Sequence, residues 1–213
     1  MAFKIKRRAK GDTGGLLVHH GQPQWLNIFI LCCLIGGVVW LVRGHQSQPT
    51  TTAKAQPAVT THAGFIKKLA PSAQRMQKKY HVLASISLSQ AILESDWGQS
   101  TNATKNYNLF GVKATAAEPG KLMMTKEYYD GAYHQVKQRF RVYSSWDASM
   151  VGHAKRLANG PSWDATHYQA VIQAKDYQTA ARALVTAGYA TDPNYDQKLI
   201  NIIQKYNLQR YDK

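Results

Sequence analysis

Acidic residues are the scarcest polar class in this sequence: 12 Asp and Glu stand against 27 Lys and Arg in 213 residues, a net charge of +15. A chain this basic suits a polyanionic partner, whether nucleic acid, an anionic membrane surface or another anionic polymer. Glutamate is rarer still, at Glu94, Glu118 and Glu127 alone, so chemistry that needs a Glu has a short list of candidates. Cysteine is confined to the adjacent Cys32 and Cys33. That spacing builds neither a disulfide framework nor a zinc site. Beyond residue 43 there is no cysteine, so thiol catalysis is excluded there and stability rests on packing. HExxH, paired CxxC, GxxxxGK[ST] and GxSxG are all missing, which removes support for zincin, zinc-ribbon, P-loop and serine-elbow readings. The eight His are scattered, none at ligand spacing from another on a helix, so no metal or cofactor is expected.

Three zones follow one another. Residues 1–24 are polar and basic, with Lys4, Lys6, Arg7, Arg8 and Lys10. Residues 25–42, WLNIFILCCLIGGVVWLV, carry no charge and are 18 long, enough to cross a hydrocarbon core at about 1.5 Å per residue. Trp25 and Trp40 sit near the ends, as interfacial anchors do. The excess of basic residues before this run predicts a single-pass signal anchor with a cytoplasmic N-terminus and the rest of the chain outside the cell membrane. A cleaved signal peptide is the rival, but the AKA at 53–55 lies far past the apolar run for easy processing. Residues 43–62 are rich in Thr, Gln, Ala and Pro and read as a flexible linker spanning roughly 25 Å.

Residues 63–213 hold nearly all the aromatics and the core. FIKKLAPSAQRMQKKY is amphipathic, with Pro71 expected to begin a second helical piece. Residues 84–95 read as a buried helix. Residues 98–121 read as irregular. LMMTKEYYDGAYHQVKQRFRVY, 122–143, is β-rich around Asp130-Gly131, a strong hairpin signal. A two-residue turn there pairs Tyr129 with Ala132 and Glu127 with His134. Helical patterns return at SWDASMVGHAKRLA, DYQTAARALVTAG and YDQKLINIIQKY. Gly188 fits a helix end after Ala187, and Asp192 with Pro193 fits a helix start. The expected class is α+β, mainly helical with a small β-hairpin lobe and one preceding transmembrane helix.

Carboxylates and aromatics, twelve Tyr and five Trp, are the chemistry left. Together they are the means of cutting a glycosidic bond: one carboxyl protonates the leaving oxygen, and negative charge steadies an oxocarbenium-like transition state. Glu94 closes a buried helix, with Trp97 and Gly98 directly after it. Burial raises a carboxyl pKa, and Trp97 can exclude water from it. A plain helix-end Glu held by a Lys or a backbone donor is the alternative, though a carboxylate there opposes the helix dipole.

SQAILESDWGQS (89–100), NYNLFGVKA (106–114), TKEYYDG (125–131), FRVYSSWDASMVGHAKRL (140–157) and AGYATDPNYDQKLINII (187–203) occur in this order. In sequence and spacing they resemble the N-acetylglucosaminidase domain of glycoside hydrolase family 73, over about residues 63–212. The resemblance implies a lysozyme-like fold and an endo-β-N-acetylglucosaminidase that cuts the β-1,4 bond after N-acetylglucosamine in peptidoglycan. It implies Glu94 as general acid and makes Glu127 a candidate second carboxylate. It places a Tyr of GYATDPNY in the site, Tyr189 before Tyr195. Asn108 and Phe110 resemble the family's sugar-binding floor, and Trp97 and Tyr128 are further candidates for glycan contact. Asn108 and Phe110 also read as a turn Asn and a core Phe, and Tyr195 as packing for the last helix.

Water activation by Glu127, nucleophilic attack by Glu127 and attack by the substrate's own acetamido group all stay open, with carboxyl separations distinguishing the first two. A lytic transglycosylase or muramidase of the same fold, and an inactive wall-binding scaffold, are the competing functions. The expected partners are glycan strands, anionic wall polymers, the membrane through residues 25–42, and a membrane protein suited to such an anchor. No nucleic-acid motif appears, so nucleic acid is not expected.

Overall fold

The computed structural model describes residues 61–129 and 132–213, with side chains of 126–133 set aside, and the backbone of a short antiparallel pair, β1 (Val18–His19) and β2 (Gln22–Pro23). The expected membrane span, 25–42, lies outside the described residues. Among the described residues no helix is long and apolar enough to cross a membrane.

Seven helices and one hairpin follow in the order α1 (His62–Tyr80), α2 (Ala84–Ser95), α3 (Thr101–Lys105), β3 (Gly120–Tyr129), β4 (Ala132–Arg141), α4 (Trp146–Asn159), α5 (Gln169–Gln173), α6 (Tyr177–Thr186) and α7 (Tyr195–Tyr206). A 3-10 turn, Leu208–Tyr211, comes after α7. The class is α+β, as expected.

α2 is the central rod, packed against α1, α6, α7 and the 3-10 turn. Of its 12 residues only Leu93 and Glu94 are not buried. Leu83, before it, offers no capping side chain, so the orphan N–H groups of its first turn are met from elsewhere. Gln77 Oε1 accepts the Ala84 N–H at 2.9 Å. The Asp212 carboxylate accepts the Ser85 N–H at 2.8 Å and its hydroxyl at 2.6 Å. The C-terminal segment therefore caps the helix that carries Glu94.

α1 is one helix, not two. Thr61 Oγ1 caps it by accepting the Gly64 N–H at 3.0 Å. Pro71 lies inside and removes one ladder bond. The buried stripe Phe65, Ile66, Leu69, Ala70, Ala73 and Met76 runs across both sides of it, and that shared packing keeps the helix continuous. The stretch expected to be irregular contains α3, capped by Ser100 Oγ on the Ala103 N–H at 3.2 Å.

β3 and β4 pair with Tyr129 opposite Ala132, Glu127 opposite His134 and Thr125 opposite Val136. This is the register a two-residue Asp130-Gly131 turn demands. The base of the hairpin is tied to the helical body. Asn106 O accepts the Tyr143 N–H at 2.9 Å, Pro119 O accepts the Val142 N–H at 2.9 Å, and Arg141 pairs with Glu118 at 2.9 Å.

Candidate active site

Glu94 stands in the last turn of α2, and the chain reverses immediately after it. Asp96, Trp97 and Gly98 have φ of 48°, 58° and 77°, three left-handed residues in succession. Two of them carry a Cβ, which costs roughly 1 kcal/mol or more each. Ser95 holds the reversal: its hydroxyl donates to Ala91 O at 2.5 Å and accepts the Gly98 N–H at 2.7 Å. Only glycine fits at 98, because an added Cβ would lie 2.6 Å from Trp146 Cη2 and 2.8 Å from Phe65 Cε2. The tight turn lets Trp146 close over the end of α2 and donate to Ala103 O at 2.9 Å.

A second turn brings aromatics to Glu94. After α6, the Gly188 N–H donates to Val185 O and the Tyr189 N–H to Leu184 O, both at 2.9 Å, with Gly188 at φ 65°. That double bond pattern around a left-handed glycine is a Schellman motif, and it turns Tyr189 inward. Asp192 then accepts the Asn194 N–H at 2.9 Å and pairs with Lys198, starting the turn that leads into α7. The helix itself begins at Tyr195 with Asn194 as its N-cap and no capping side chain, so Asp192 and Pro193 belong to the turn before α7 and not to its expected N-cap and first position.

The Tyr195 hydroxyl donates to Glu94 Oε1 at 2.8 Å. It accepts from Gln90 Nε2 at 3.1 Å. Gln90 Oε1 in turn lies 3.0 Å from His153 Nε2. His153 stacks on Phe110 at 3.9 Å, and Tyr189 stacks beside Tyr195 at 5.8 Å. Burial first, then the Glu94 charge, pushes the phenols of Tyr189 and Tyr195 well above the usual tyrosine range, so both keep their protons. Burial drops the His153 imidazole to about 3, with Arg156 acting the same way. His153 is thus neutral at ordinary pH.

The expected site residues divide. Glu94 and Tyr189 come together, both partly exposed. Tyr195 is fully buried, so it holds Glu94 and offers no surface to a glycan, contrary to its expected sugar contact. Asn108 is also no sugar floor. It is 1% exposed, its amide donates to Val112 O and Arg141 O, and its carbonyl accepts the Val112 N–H. Phe110, 3% exposed, is core against His153. Trp97 stacks on His62 at 3.7 Å and meets Phe65 and Tyr206 edge-on, an aromatic cluster at the far end of α7 from Tyr195. About 16 Å of helix separates the two ends. Glu127 sits on β3 opposite His134, and its side chain and that of Tyr128 lie outside the described residues.

Gln90 and His153 were not among the expected site residues. Gln90 had a signal: an amide four residues before Glu94, on the same face of an otherwise buried helix. His153 had none of its own, since its role depends on how α4 packs beside α2.

The sequence profile of a glucosaminidase family, described as mannosyl-glycoprotein endo-beta-N-acetylglucosaminidase, matches residues 70–208. The chain is 42% identical over 167 residues to the exo-glucosaminidase LytG of Bacillus subtilis, covering 78% of this chain and 59% of that protein. It is 38% identical over 168 residues to a probable N-acetylmuramidase of Lactococcus lactis, covering 76% of this chain and 37% of that protein. The chain thus spans little more than half of the first relative and less of the second. Among solved structures, the catalytic domain of the autolysin Auto from Listeria monocytogenes superposes with a TM-score of 0.68 at 35% identity, covering 78% of this chain and all of that domain.

Proposed function

This chain belongs to the glucosaminidase family, glycoside hydrolase family 73, and on that premise we propose that it is a peptidoglycan hydrolase using Glu94 as general acid. The observation that carries the proposal is the bond from the buried Tyr195 hydroxyl to Glu94 Oε1 at 2.8 Å. It seats the carboxyl at the end of the buried α2, where a general acid would hand its proton to the leaving sugar oxygen. This helix-end carboxyl accepts from a buried neutral phenol, with Tyr189 stacked beside that phenol.

The bond cut is the β-1,4 link after N-acetylglucosamine. Tyr189, partly exposed beside Glu94, is the phenol placed to contact substrate. Its raised pKa keeps it a hydrogen-bond donor, suited to steadying an acetamido oxygen. Glu127 is the alternative second group, as water-activating base or nucleophile. Endo action is the reading the family's description favours, and the exo-glucosaminidase relative supplies the contrasting pattern.

The proposal includes the anchor. Residues 25–42 would span the cell membrane, with residues 1–24 cytoplasmic and the catalytic domain outside. A short linker would hold the enzyme near emerging glycan strands, where a membrane-protein partner could direct it to trim them. The excess of Lys and Arg over Asp and Glu in residues 43–213, 22 against 11, suits anionic wall polymers on that side. Labelling residues 43–62 from outside intact cells tests this topology, and labelling only after lysis would overturn it.

Mass spectrometry of glycans released from purified peptidoglycan tests the activity. Reducing-end N-acetylglucosamine is expected. Reducing-end N-acetylmuramic acid would make the protein a muramidase, the activity for which the Lactococcus relative is named. An anhydro-muramyl end would make it a lytic transglycosylase. Release of chain-end sugars alone would make it an exo-enzyme.

A further inference from the structure

We propose that a pocket between α3 and β3 is a binding site for the carboxylate-bearing stem peptide of the glycan strand. The site stands on the peptidoglycan-hydrolase reading and adds to it the part of the substrate that is not sugar. The pocket has a volume of about 310 Å³ and is lined by Thr101, Lys105, Asn106, Lys121, Met123 and Met124. That is the lower end of the range for small-ligand sites, roughly 300–1,000 Å³. Its floor is fixed in place. The Asn106 side chain, 1% exposed, donates through Nδ2 to Asn102 Oδ1 and to Met123 Sδ, both at 2.9 Å, which ties the end of α3 to β3. The Asn106 carbonyl accepts the Tyr143 N–H at 2.9 Å. A preformed floor keeps the ordering cost of binding low.

The chemistry of the walls selects the ligand. Lys105 and Lys121 bring two ammonium groups, and no carboxylate lines the pocket. Among the described residues neither lysine is in an ion pair. Glu118, at the base of the hairpin, is taken up by Arg141 at 2.9 Å and by the Thr115 N–H at 3.0 Å. Met124 is 55% exposed, and Leu122, on the same face of β3, is 63% exposed. Apolar side chains this open beside two cations suit a ligand that carries carboxylates and short apolar groups together. A stem peptide has both. A teichoic-type polymer offers charge alone, and an extended polyanion calls for a long basic stripe rather than a small pocket.

The pocket is within reach of Glu94. The Ser100 N–H donates to Ser95 O at 2.9 Å, and Thr101 and Glu94 each lie one residue from that pair. With about 3.8 Å between successive Cα atoms, Thr101 lies within about 14 Å of Glu94. A few extended residues at about 3.5 Å each cover that distance. A glycan seated at Glu94 can thus lay the peptide of a neighbouring N-acetylmuramic acid into the pocket.

Lys105→Met and Lys121→Met, singly and together in the full chain, test this on two substrates free of teichoic polymer: peptidoglycan strands, and the same strands stripped of stem peptide by an amidase. On peptide-bearing strands each single substitution should raise apparent KM about threefold and the pair about tenfold, with kcat within about twofold. On stripped strands the pair should change neither constant by more than about twofold. Equal losses on both substrates, or no loss on either, would overturn the proposal. So would a loss confined to walls that still carry teichoic polymer, which would assign the two lysines to phosphate. Both lysines are exposed, so the variants should unfold at the wild-type midpoint. The 13C methyl signals of Met123 and Met124 read the pocket in the wild type without catalysis or substitution. A free stem peptide at about 10 mM should shift both, and unshifted methyls would overturn the proposal whatever the activity. The two readings fail separately. Wild type that cleaves neither substrate would overturn the hydrolase reading and this site with it; cleavage with equal losses, or unshifted methyls, overturns the site alone.

Discussion

Lowering the pH from 7 to 4.5 should destabilise this domain through His153, and the effect can be worked out in advance. The imidazole titrates near 6.5 when exposed and near 3 in the fold, because burial disfavours its cation. Between those values the unfolded chain binds a proton that the native state refuses. Stability therefore falls as pH falls, by about 1.4 kcal/mol per unit once well below 6.5. From pH 7 to 4.5 the loss is about 2.5 kcal/mol, a large share of the ~5–15 kcal/mol that holds a typical domain. The assay is urea unfolding across that range, comparing wild type with His153→Phe. Asp176 and Asp192, whose pKa values are lowered by their hydrogen bonds and by Lys198, also shed stability in acid. They do so equally in both proteins and cancel in the difference. The variant should start less stable, since Gln90 Oε1 loses its donor, and the gap should close as the pH drops. A gap that stays constant to pH 4.5 would refute the buried neutral imidazole.

Gly98→Ala should lower stability by at least about 2 kcal/mol, from the left-handed φ of 77° and a Cβ 2.6 Å from Trp146, read as a drop in thermal midpoint. Asp212→Ala should cost about 1–2 kcal/mol in urea unfolding by uncapping α2, although residue 212 is far from Glu94 in sequence. Glu127→Gln separates the open mechanisms by its rate on peptidoglycan. A loss of about 100-fold or more makes Glu127 the second catalytic carboxylate, and a near-normal rate assigns that role to the substrate acetamido group.

Much of this fold could be read from periodicity and turn chemistry. The helix at 84–95 and the Glu127–His134 register followed from patterns local in sequence. The Gly188 helix end was equally legible, because a left-handed turn before Tyr189 needs glycine. What could not be read depends on distant segments. Pro71 argues locally for a break, and only the stripe packed on both sides of it keeps α1 whole. The cap of α2 comes from Asp212, 127 residues beyond Ser85. Sequence alone could name the aromatics around Glu94 but could not rank them. Asn108, Phe110 and Tyr195 belong to the right motifs, yet each is turned inward, and burial decides whether a side chain meets sugar or supports one that does. His153 shows the same limit from the other side: nothing in its neighbours marks it, and its place beside Gln90 is set by helix packing.

Glu94→Gln measured on purified peptidoglycan tests the central claim most directly. The substitution keeps an acceptor for the Tyr195 hydroxyl and removes only the transferable proton, so the unfolding midpoint should stay close to wild type. The rate of glycan cleavage should fall about 100-fold or more. A folded Glu94→Gln protein that keeps more than about a tenth of the wild-type rate would contradict the assignment of Glu94 as the acid.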